Sequence, residues 1–349
     1  MRSVAFAVPG ALTIPTGGYT YDRRIVEEMR ALGWQVETLN LGEEYPRPSV
    51  RSRAAARERL AAQPGDRPMV IDGLAFGALP DVANDLRASH HLIALVHHPL
   101  ALEAGLSPDD AKALRVSERQ ALTSARKVIT TSAFTARLLA SDYDVPAQRL
   151  AVVRPGNDPV VPARRTVNDV IALLAVGAVV PRKGYDALIA ALASLRDLPW
   201  RLTIVGDCMR DVETAARLES AVAGCLLKER ITFTGPVSTE HLAELYAGAD
   251  LFVLASRFEG YGMAFAEALA HGLPIVGTTA GAIAETVPAN AGILVEPDDV
   301  PALSDALRRL ISDPVLRNVL ARGARSGAAE LPTWRQSAEL FSQVLAAEP

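Results

Sequence analysis

Short apolar segments alternate along the chain with longer segments in which apolar residues recur at helical spacing. In the first half the apolar segments predict strands at Val4–Val8, Val36–Leu41, Met69–Ile71, Leu92–Val96 and Lys127–Thr131. Helices are predicted between them near Thr20–Leu32, Val50–Ala62, Ala78–Ala88, Pro108–Ser124 and Ala133–Ser141. After Pro155–Pro162 the pattern restarts, with predicted strands at Val170–Val176, Arg201–Val205, Ile231–Thr234, Leu251–Leu254, Ile275–Gly277 and Gly292–Val295. Such alternation is typical of parallel sheets covered by helices, so an α/β fold is predicted.

The restart of the pattern predicts two domains, because 349 residues exceed the usual size of one core. We predict a Rossmann-like domain over residues 1–155, a linker over 156–169, a second Rossmann-like domain over 170–331 and a final helix within 332–349. Ligands of open α/β sheets bind beyond the carboxyl ends of the strands. Two doubly wound domains that face a central cleft would therefore hold one ligand between them.

The composition of the chain excludes several classes of protein and binding partner. A formal net charge of −4 with 22% charged residues lacks the basic excess typical of nucleic-acid binding, so no nucleic acid is expected. Cys208 and Cys225 have neither a metal-site spacing nor the number needed for a disulfide framework. With no long apolar segment near the N-terminus and no span of about 20 apolar residues, a cytoplasmic protein is expected.

Two glycines follow the first predicted strand in "PTGGYTYD". Gly17 and Gly18 lead into a helix predicted to begin near Thr20, and the N–H groups of such a turn can bind an anion. A plain turn between strand and helix is an equally good interpretation. The segment fits neither the dinucleotide-binding fingerprint nor a P-loop, so a dehydrogenase is not indicated.

His97 and His98 follow the strand predicted at Leu92–Val96. A neutral imidazole both donates and accepts hydrogen bonds, so one of these side chains could hold a sugar hydroxyl or stabilise a nearby charge. The alternative is a pair of histidines whose hydrogen bonds are satisfied by backbone groups. No cluster of Asp, Glu or Cys stands close to them in the sequence, which argues against a metal site.

Arg182 and Lys183 stand at the start of a predicted helix, just after the strand Val170–Val176. Positive charge is unfavourable at a helix N-terminus, so two cations there indicate an anionic ligand. The planar guanidinium and the compact ammonium together suit a pyrophosphate. The alternative is a solvated pair of charges.

The segment "EGYGMAFAEALAHGLPIVGT" begins with a loop and continues as a helix. Glu259 stands in the loop, Gly260 and Gly262 leave room for a ligand near the first turn, and Glu267 lies about one turn into an otherwise apolar helix. A carboxylate accepts hydrogen bonds from paired hydroxyls, and a buried one needs a partner. Two carboxylates beside an N–H-lined phosphate site suit a sugar nucleotide.

With Glu259 and Glu267 in an E-x7-E motif, the chain resembles the retaining GT-B glycosyltransferases of family 4. The resemblance also rests on "TGG", "HHP", "RPGND", "PRKG", "IVGD" and "GAIAET", and it extends over nearly the whole chain. The chain differs from the family at Ala178, where many members have Arg, and at Ala282, where glycine is usual. The resemblance implies a GT-B fold whose C-terminal helix crosses back to the first domain.

The resemblance also implies roles for individual residues. Glu267 would bind the ribose hydroxyls of the donor. Glu259 would hold the donor sugar and phosphate together with the backbone of Gly260, Tyr261, Gly262 and Met263. Arg182 and Lys183 would neutralise the pyrophosphate, which Gly17 and Gly18 approach from the other domain. His97 would lie near the reacting carbon, and Val237 would receive the base. The expected catalytic residues are His97, Glu259, Arg182 and Lys183.

The reaction so implied is transfer of a hexose from a nucleoside diphosphate to a hydroxyl acceptor, with retention and without a metal or cofactor. UDP-hexose is slightly favoured as donor over GDP- or ADP-hexose. Asp142 and Asp144 imitate a metal-binding D-x-D motif, but they stand at a helix end. The alternatives are a non-catalytic sugar-nucleotide-binding subunit and, less well supported, a sugar-nucleotide epimerase.

The arginines of "RPSVRSRAAARERLAA", which starts at Arg47, are open to two interpretations. They form either a solvated helix face with Arg–Glu contacts or a surface for phosphate-bearing lipid heads at the inner face of a membrane.

Overall fold

A computed structural model describes residues 2–14, 16–103, 105–160 and 170–347 of the chain. Most of the predicted linker, residues 161–169, lies outside the described residues. The chain divides into two compact units, the first made of Met1–Gly156 and Pro332–Pro349 and the second of Asn157–Leu331.

The first unit contains a sheet of six parallel strands in the order β2-β1-β3-β4-β5-β6. The strands are β1 (Ser3–Val8), β2 (Gln35–Asn40), β3 (Pro68–Asp72), β4 (His91–Val96), β5 (Lys127–Thr130) and β6 (Leu150–Val152). The helices are α1 (Gly17–Ala31), α2 (Val50–Ala61), α3 (Gly73–Phe76), α4 (Pro80–Leu86), α5 (Pro108–Leu122) and α6 (Ala133–Asp142), with 3₁₀ turns at Leu100–Leu102 and Ala147–Arg149.

The strand order of this sheet reverses beside β1. The chain passes from β1 outward to β2 and then returns to β3 on the other side of β1. The central strands are apolar on both faces, and Phe6, Val70 and Ile93 are fully buried, as expected for a sheet covered on both sides. The connections after β1 and β3 therefore diverge at the carboxyl edge, which is where open α/β sheets bind ligands.

The chain ends in α14 (Trp334–Ala346), which belongs to the first unit although it follows the second in sequence. Its start is fixed by a capping box between Thr333 and Gln336. Phe341 is buried and stacks near Phe6, and the Ser337 hydroxyl donates a 2.8 Å hydrogen bond to the Arg154 carbonyl. The predicted final helix is thus present, and its apolar face completes the core of the first unit.

The second unit contains another sheet of six parallel strands, in the order β12-β11-β10-β7-β8-β9. The strands are β7 (Ile171–Val176), β8 (Trp200–Val205), β9 (Ile231–Gly235), β10 (Leu251–Val253), β11 (Ile275–Thr278) and β12 (Gly292–Val295). The helices are α7 (Tyr185–Ala193), α8 (Val212–Gly224), α9 (Thr239–Gly248), α10 (Met263–Ala270), α11 (Ile283–Thr286), α12 (Val300–Ser312) and α13 (Pro314–Ala328), with a 3₁₀ turn at Pro181–Lys183.

The α/β prediction is confirmed, with element ends mostly within one or two residues of those predicted. Two short elements were not predicted, the edge strand β6 and the four-residue helix α3. Neither is long enough to show a period in its hydrophobic pattern. Within the described ranges, none of the helices has the length and hydropathy needed to cross a membrane.

Candidate functional site

The second sheet has its own topological switch point, between β7 and β10. These neighbouring strands are parallel, and the chain leads from β7 toward β8 but from β10 toward β11 on the opposite side. The loops after β7 and β10 diverge at the carboxyl edge and leave a crevice of the kind that binds ligands. Lys183 lies in the first loop and Glu259 in the second, so the fold brings two predicted site residues together.

Gly184 allows the two loops to pack closely. It has φ +63° and ψ 27°, a left-handed conformation, and it forms the N-cap of α7 directly after the 3₁₀ turn. A Cβ atom at this position would lie 1.9 Å from the carbonyl oxygen of Ala255, in the loop after β10. Glycine is therefore required here for both the backbone conformation and the close approach.

Replacing Gly184 with alanine is expected to lower the free energy of unfolding by more than about 2 kcal/mol. The left-handed conformation alone costs about 1–2 kcal/mol for alanine, and the Cβ collision adds to it. Gly235→Ala is the matched control, because Gly235 has φ +69° and open space around its Cβ position. Urea unfolding of both variants measures the difference, and equal losses would contradict a role for Gly184 in loop packing.

Glu259 lies at the centre of this site and is 6% exposed. Its Oε1 atom accepts a 2.6 Å hydrogen bond from Lys183 Nζ and a 2.7 Å bond from the Ser256 hydroxyl. Arg182 Nη1 lies 3.3 Å from Glu259 Oε2 and also donates to the Phe258 carbonyl at 2.8 Å. The sequence analysis assigned the cations to phosphate and the glutamate to sugar, whereas the structure joins all three in one ion cluster.

The charges in this cluster shift the pKa values of its members. Burial alone would raise the pKa of Glu259, but the charges of Lys183 and Arg182 and the hydrogen bonds from Lys183 and Ser256 outweigh it and lower the pKa to about 2. Burial lowers the pKa of Lys183, and Glu259 partly opposes this. Two cations face one carboxylate, so the cluster can take a further negative charge.

The turn before α11 packs against the loop after β10. Gly281 has φ +62°, and a Cβ there would lie 2.2 Å from the Glu259 carbonyl oxygen. The Ala282 N–H donates a 2.9 Å hydrogen bond to the same oxygen. Ala282, which departs from the usual glycine, therefore keeps a direct contact with the Glu259 backbone.

Helix α10 begins beside the ion cluster. Its N-cap is Gly262, in a left-handed conformation with φ +88°, and this residue supplies no side-chain cap to the first turn. The loop residues Gly260 and Tyr261 are buried, and Met263 opens the helix as predicted. The backbone of this segment thus lies where the sequence predicted a contact with phosphate, and its ligand role stays a prediction.

Glu267 lies on α10 and is only partly buried. Its Oε2 atom accepts a 2.8 Å hydrogen bond from the Tyr246 hydroxyl, on α9. Burial raises the pKa of Glu267, the Tyr246 bond opposes the rise, and the charge of Asp158 adds to it. Tyr246 was missed by the sequence analysis, since a tyrosine in an amphipathic helix is most often a core residue.

Val237 lies in the turn between β9 and α9 and packs partly against the core of the second unit. Strand β9 is separated from β7 by β8, and all three strands are parallel. The turn after β9 therefore lies at the same carboxyl edge of the sheet as the ion cluster. Its predicted contact with the base stays a prediction.

In the first unit, α1 begins at Gly17, three residues earlier than predicted. Thr16 is the N-cap and accepts a 3.3 Å hydrogen bond from the Tyr19 N–H. The glycines therefore belong to the first helical turn and not to a loop before it. A Cβ at Gly18 would lie 3.2 Å from His97 Cδ2, so this glycine makes room for the His97 ring.

His97 contacts two buried carboxylates that lie far from it in the sequence. Its Nε2 atom is 3.0 Å from Asp22 Oδ1, on α1, and 3.3 Å from Asp72 Oδ2, at the end of β3. The argument that no acidic residues surround His97 is therefore wrong, because the parallel sheet brings distant strand ends together. The ring nitrogen of His97 and one oxygen atom from each carboxylate lie within 4.8 Å of one another.

The two carboxylates also shift pKa values in this cluster. Burial would lower the pKa of His97, but the charges of Asp22 and Asp72 and their hydrogen bonds raise it. Burial raises the pKa of Asp22 to about 7; the charge and hydrogen bond of His97 oppose the rise, and the charge and hydrogen bond of Asp72 add to it. The Nε2 atom of His98 lies 2.9 Å from Glu103 Oε2, a carboxylate outside the His97 cluster.

Other charged candidates from the sequence pair with neighbouring side chains. Asp142 and Asp144, the D-x-D imitation, form ion pairs with arginines of α5. Arg53 of α2 pairs with Asp81 of α4 at 3.0 Å, and Arg57 pairs with both Asp81 and Asp85. The arginine-rich helix therefore makes contacts within its own unit, which favours the interpretation as a solvated helix face.

Comparison with known proteins identifies a family. The profile described as Glycosyl transferases group 1 matches residues 163–327. The MMP alpha-(1->4)-mannosyltransferase of Mycolicibacterium hassiacum is 29% identical over 313 residues, which cover 84% of this chain and 74% of that protein. A D-inositol 3-phosphate glycosyltransferase of a Nocardioides species is 31% identical over 275 residues, covering 72% of this chain but only 59% of the relative.

Solved structures share the fold along the whole chain. Sucrose-phosphate synthase from Thermosynechococcus elongatus superposes with a TM-score of 0.84 at 23% identity and covers 100% of both chains. HepE of Anabaena in complex with UDP-glucose superposes with a TM-score of 0.80 at 17% identity, covering 99% of this chain and 100% of that one. Residues 163–327 therefore carry a group 1 glycosyl transferase domain, and the chain has the fold of the GT-B glycosyltransferases.

Proposed function

We propose that this glycosyltransferase moves a hexose from a nucleoside diphosphate to a hydroxyl acceptor, with retention of configuration and without a metal ion. The observation that carries the proposal is the ion cluster of Arg182, Lys183 and Glu259 at the switch point of the second sheet. Its two cations exceed its one carboxylate, so it suits a diphosphate that brings negative charge. The cations would take the electrostatic role that Mg²⁺ has in other transferases.

We propose the same residue roles that the family resemblance implies. The departing diphosphate would lie against Lys183 and Arg182, the donor sugar near Glu259, and the ribose hydroxyls at Glu267. Gly260, Tyr261, Gly262 and Met263 would supply backbone contacts, and Val237 would receive the base. Tyr246, which binds Glu267 through its hydroxyl, would orient that carboxylate toward the ribose.

Front-face attack is the mechanism that we favour. The bond from the anomeric carbon to the phosphate oxygen breaks, the acceptor oxygen bonds to the same face, and the acceptor proton passes to the departing phosphate oxygen. A covalent intermediate would need an accessible carboxylate nucleophile in the first unit. Asp22 and Asp72, the carboxylates beside His97, are 0% and 4% exposed, and both contact the His97 ring. Neither is an accessible nucleophile.

UDP-hexose is the donor that we favour over GDP- and ADP-hexose. In support, HepE of Anabaena, which shares the fold, has been solved with UDP-glucose. The acceptor is a hydroxyl of a glycan, a glycolipid or a small molecule.

Thermal unfolding with UDP, GDP, ADP and their hexose conjugates, with and without a chelator, tests the proposal. A ligand that binds only the folded state adds about 2.7 kcal/mol at 100 times its dissociation constant. We expect one nucleotide to raise the melting temperature equally in both conditions. A shift that disappears with the chelator would contradict metal independence, and no shift with any nucleotide would contradict the donor site.

A further inference from the structure

The cluster of His97, Asp22 and Asp72 specifies where a proton lies. The only atoms that face His97 Nε2 at hydrogen-bond distance are two carboxylate oxygens, at 3.0 and 3.3 Å, among the described residues. An ionised carboxylate can only accept, so between two ionised groups an Nε2 atom without a proton would bring three sets of lone pairs together. The Nε2 atom therefore carries a hydrogen, which it shares between Asp22 and Asp72.

The charge balance of the cluster favours a second proton on the His97 ring. Asp22 is fully buried, and within the described part of the chain its Oδ2 atom has no hydrogen-bond partner. A buried carboxylate without compensating positive charge is unfavourable by several kcal/mol. Tyr21 contacts the His97 ring edge-on at 5.3 Å, but burial and the charge of Asp22 raise its pKa, so it stays neutral. An imidazolium is the cation that the cluster itself can supply.

We propose that Asp22 is a positioning residue that acts together with Asp72 to hold His97 as an imidazolium, with Nε2–H fixed and Nδ1–H left for a ligand. The inference rests on the proposed function, in which His97 lies near the reacting carbon. It makes His97 a fixed positive donor that stabilises negative charge on a sugar or phosphate oxygen. A doubly protonated ring has no lone pair, so His97 does not serve as a general base.

The surroundings of the ring fit a fixed donor. Gly18 leaves space for the ring at the start of α1, and Tyr21 packs against it. The His97 side chain is 18% exposed, whereas those of Asp22 and Asp72 are 0% and 6% exposed, so the ring is the more accessible part of the cluster. The Thr131 hydroxyl donates a 3.3 Å hydrogen bond to the His97 carbonyl and so helps to fix the backbone of this residue.

Nitrogen-15 NMR of the histidine side chains tests the proposal directly. The chain contains six histidines, and His97→Gln identifies the signals of His97. In the wild-type protein we expect both ring nitrogens of His97 to remain protonated from pH 6 to pH 8.5. In Asp22→Asn the midpoint of its titration is expected to fall by about one to three pH units, because one of the two carboxylate charges is lost.

Glu118→Gln is the matched control, since Glu118 is another fully buried carboxyl group of the first unit and does not touch His97. It is expected to leave the His97 titration unchanged. Asp72→Asn should lower the midpoint of the His97 titration as Asp22→Asn does. It replaces Asp22→Asn in the test if that variant does not fold. The pH profile of donor hydrolysis should lose its high-pH side in both Asp variants and keep it in Glu118→Gln.

Three results would overturn the inference: a neutral His97 in the wild type at pH 7, an unchanged midpoint in both Asp variants, or a stoichiometric metal ion found by elemental analysis whose removal releases the ring. The NMR measurement needs no donor. A protein with the expected His97 signals and no nucleotide binding would therefore contradict the proposed function while leaving the protonation of His97 established.

Discussion

Replacing Lys183 with methionine is expected to weaken binding of the nucleoside diphosphate by roughly 10- to 150-fold, while binding of the nucleoside alone stays unchanged. A hydrogen bond to a charged group contributes about 1.5–3 kcal/mol, which corresponds to that range of affinity. Sugar transfer is expected to slow by about 100- to 1,000-fold, because the departing diphosphate carries more charge in the transition state than in the donor. Calorimetric titration and donor-turnover assays measure the two effects.

Lys228→Met is the control for this prediction. Lys228 is exposed and precedes β9, at the opposite edge of the sheet from the ion cluster. Both variants lose one positive charge, so a general effect of net charge would appear equally in both. Equal diphosphate affinity in Lys183→Met and the wild type would contradict the assignment of Lys183 to the phosphate.

Glu118→Gln is expected to stabilise the protein at pH 7 by on the order of 3 kcal/mol. Glu118 Oε2 accepts a 2.9 Å hydrogen bond from the Leu100 N–H, and its Oε1 atom is buried without a partner among the described residues. Burial raises the pKa of Glu118 to about 8, and the Leu100 hydrogen bond and the charge of Arg115 oppose this only in part. Glutamine keeps the acceptor for Leu100 and removes the ionisable group.

The sign of the effect follows from proton binding. The folded pKa of Glu118 lies above its value in the unfolded chain, so between about pH 4.5 and 8 the folded protein holds a proton that the unfolded chain releases. Its contribution therefore falls by about 1.4 kcal/mol for each pH unit in this interval. Urea unfolding from pH 5 to 8 should show the gain of Glu118→Gln increasing with pH.

Glu58→Gln, at an exposed position on α2, changes the net charge by the same amount and is the control. Its unfolding free energy should run parallel to that of the wild type over the whole pH range. Parallel curves for Glu118→Gln as well would show that the buried carboxyl does not titrate between the folded and unfolded states in this interval.

The fold could be predicted because its strands are buried on both faces. Such strands appear as continuous apolar segments, and β1, β4 and β7 stand out from the helices around them. β6 was missed because its three residues are partly buried at the edge of the sheet and precede a Pro/Gly-rich segment. The start of α1 was placed too late because glycine at Gly17 and Gly18 suggests a loop, whereas the Thr16 cap and the space needed by His97 decide otherwise.

The candidate site was predictable where one short segment carries its residues. The position of Glu259 and Glu267 on a loop and helix follows from local pattern, and Lys183 follows from its place after a strand. The carboxylates beside His97 were not found, because Asp22 stands 75 positions earlier on a different element. Asp72 directly follows the apolar residues of β3, so the rule that ligands lie at strand ends could have revealed it.

The return of the chain to the first unit has a consequence for synthesis on the ribosome. Residues up to Gly156 emerge first, but the core that they form is completed only when the last helix has been made. Until then the surface of Tyr21 that contacts Trp334 is uncovered, and this same tyrosine packs against His97. Some 175 intervening residues, Asn157–Leu331, are therefore synthesised before the surroundings of His97 in the first unit can be completed.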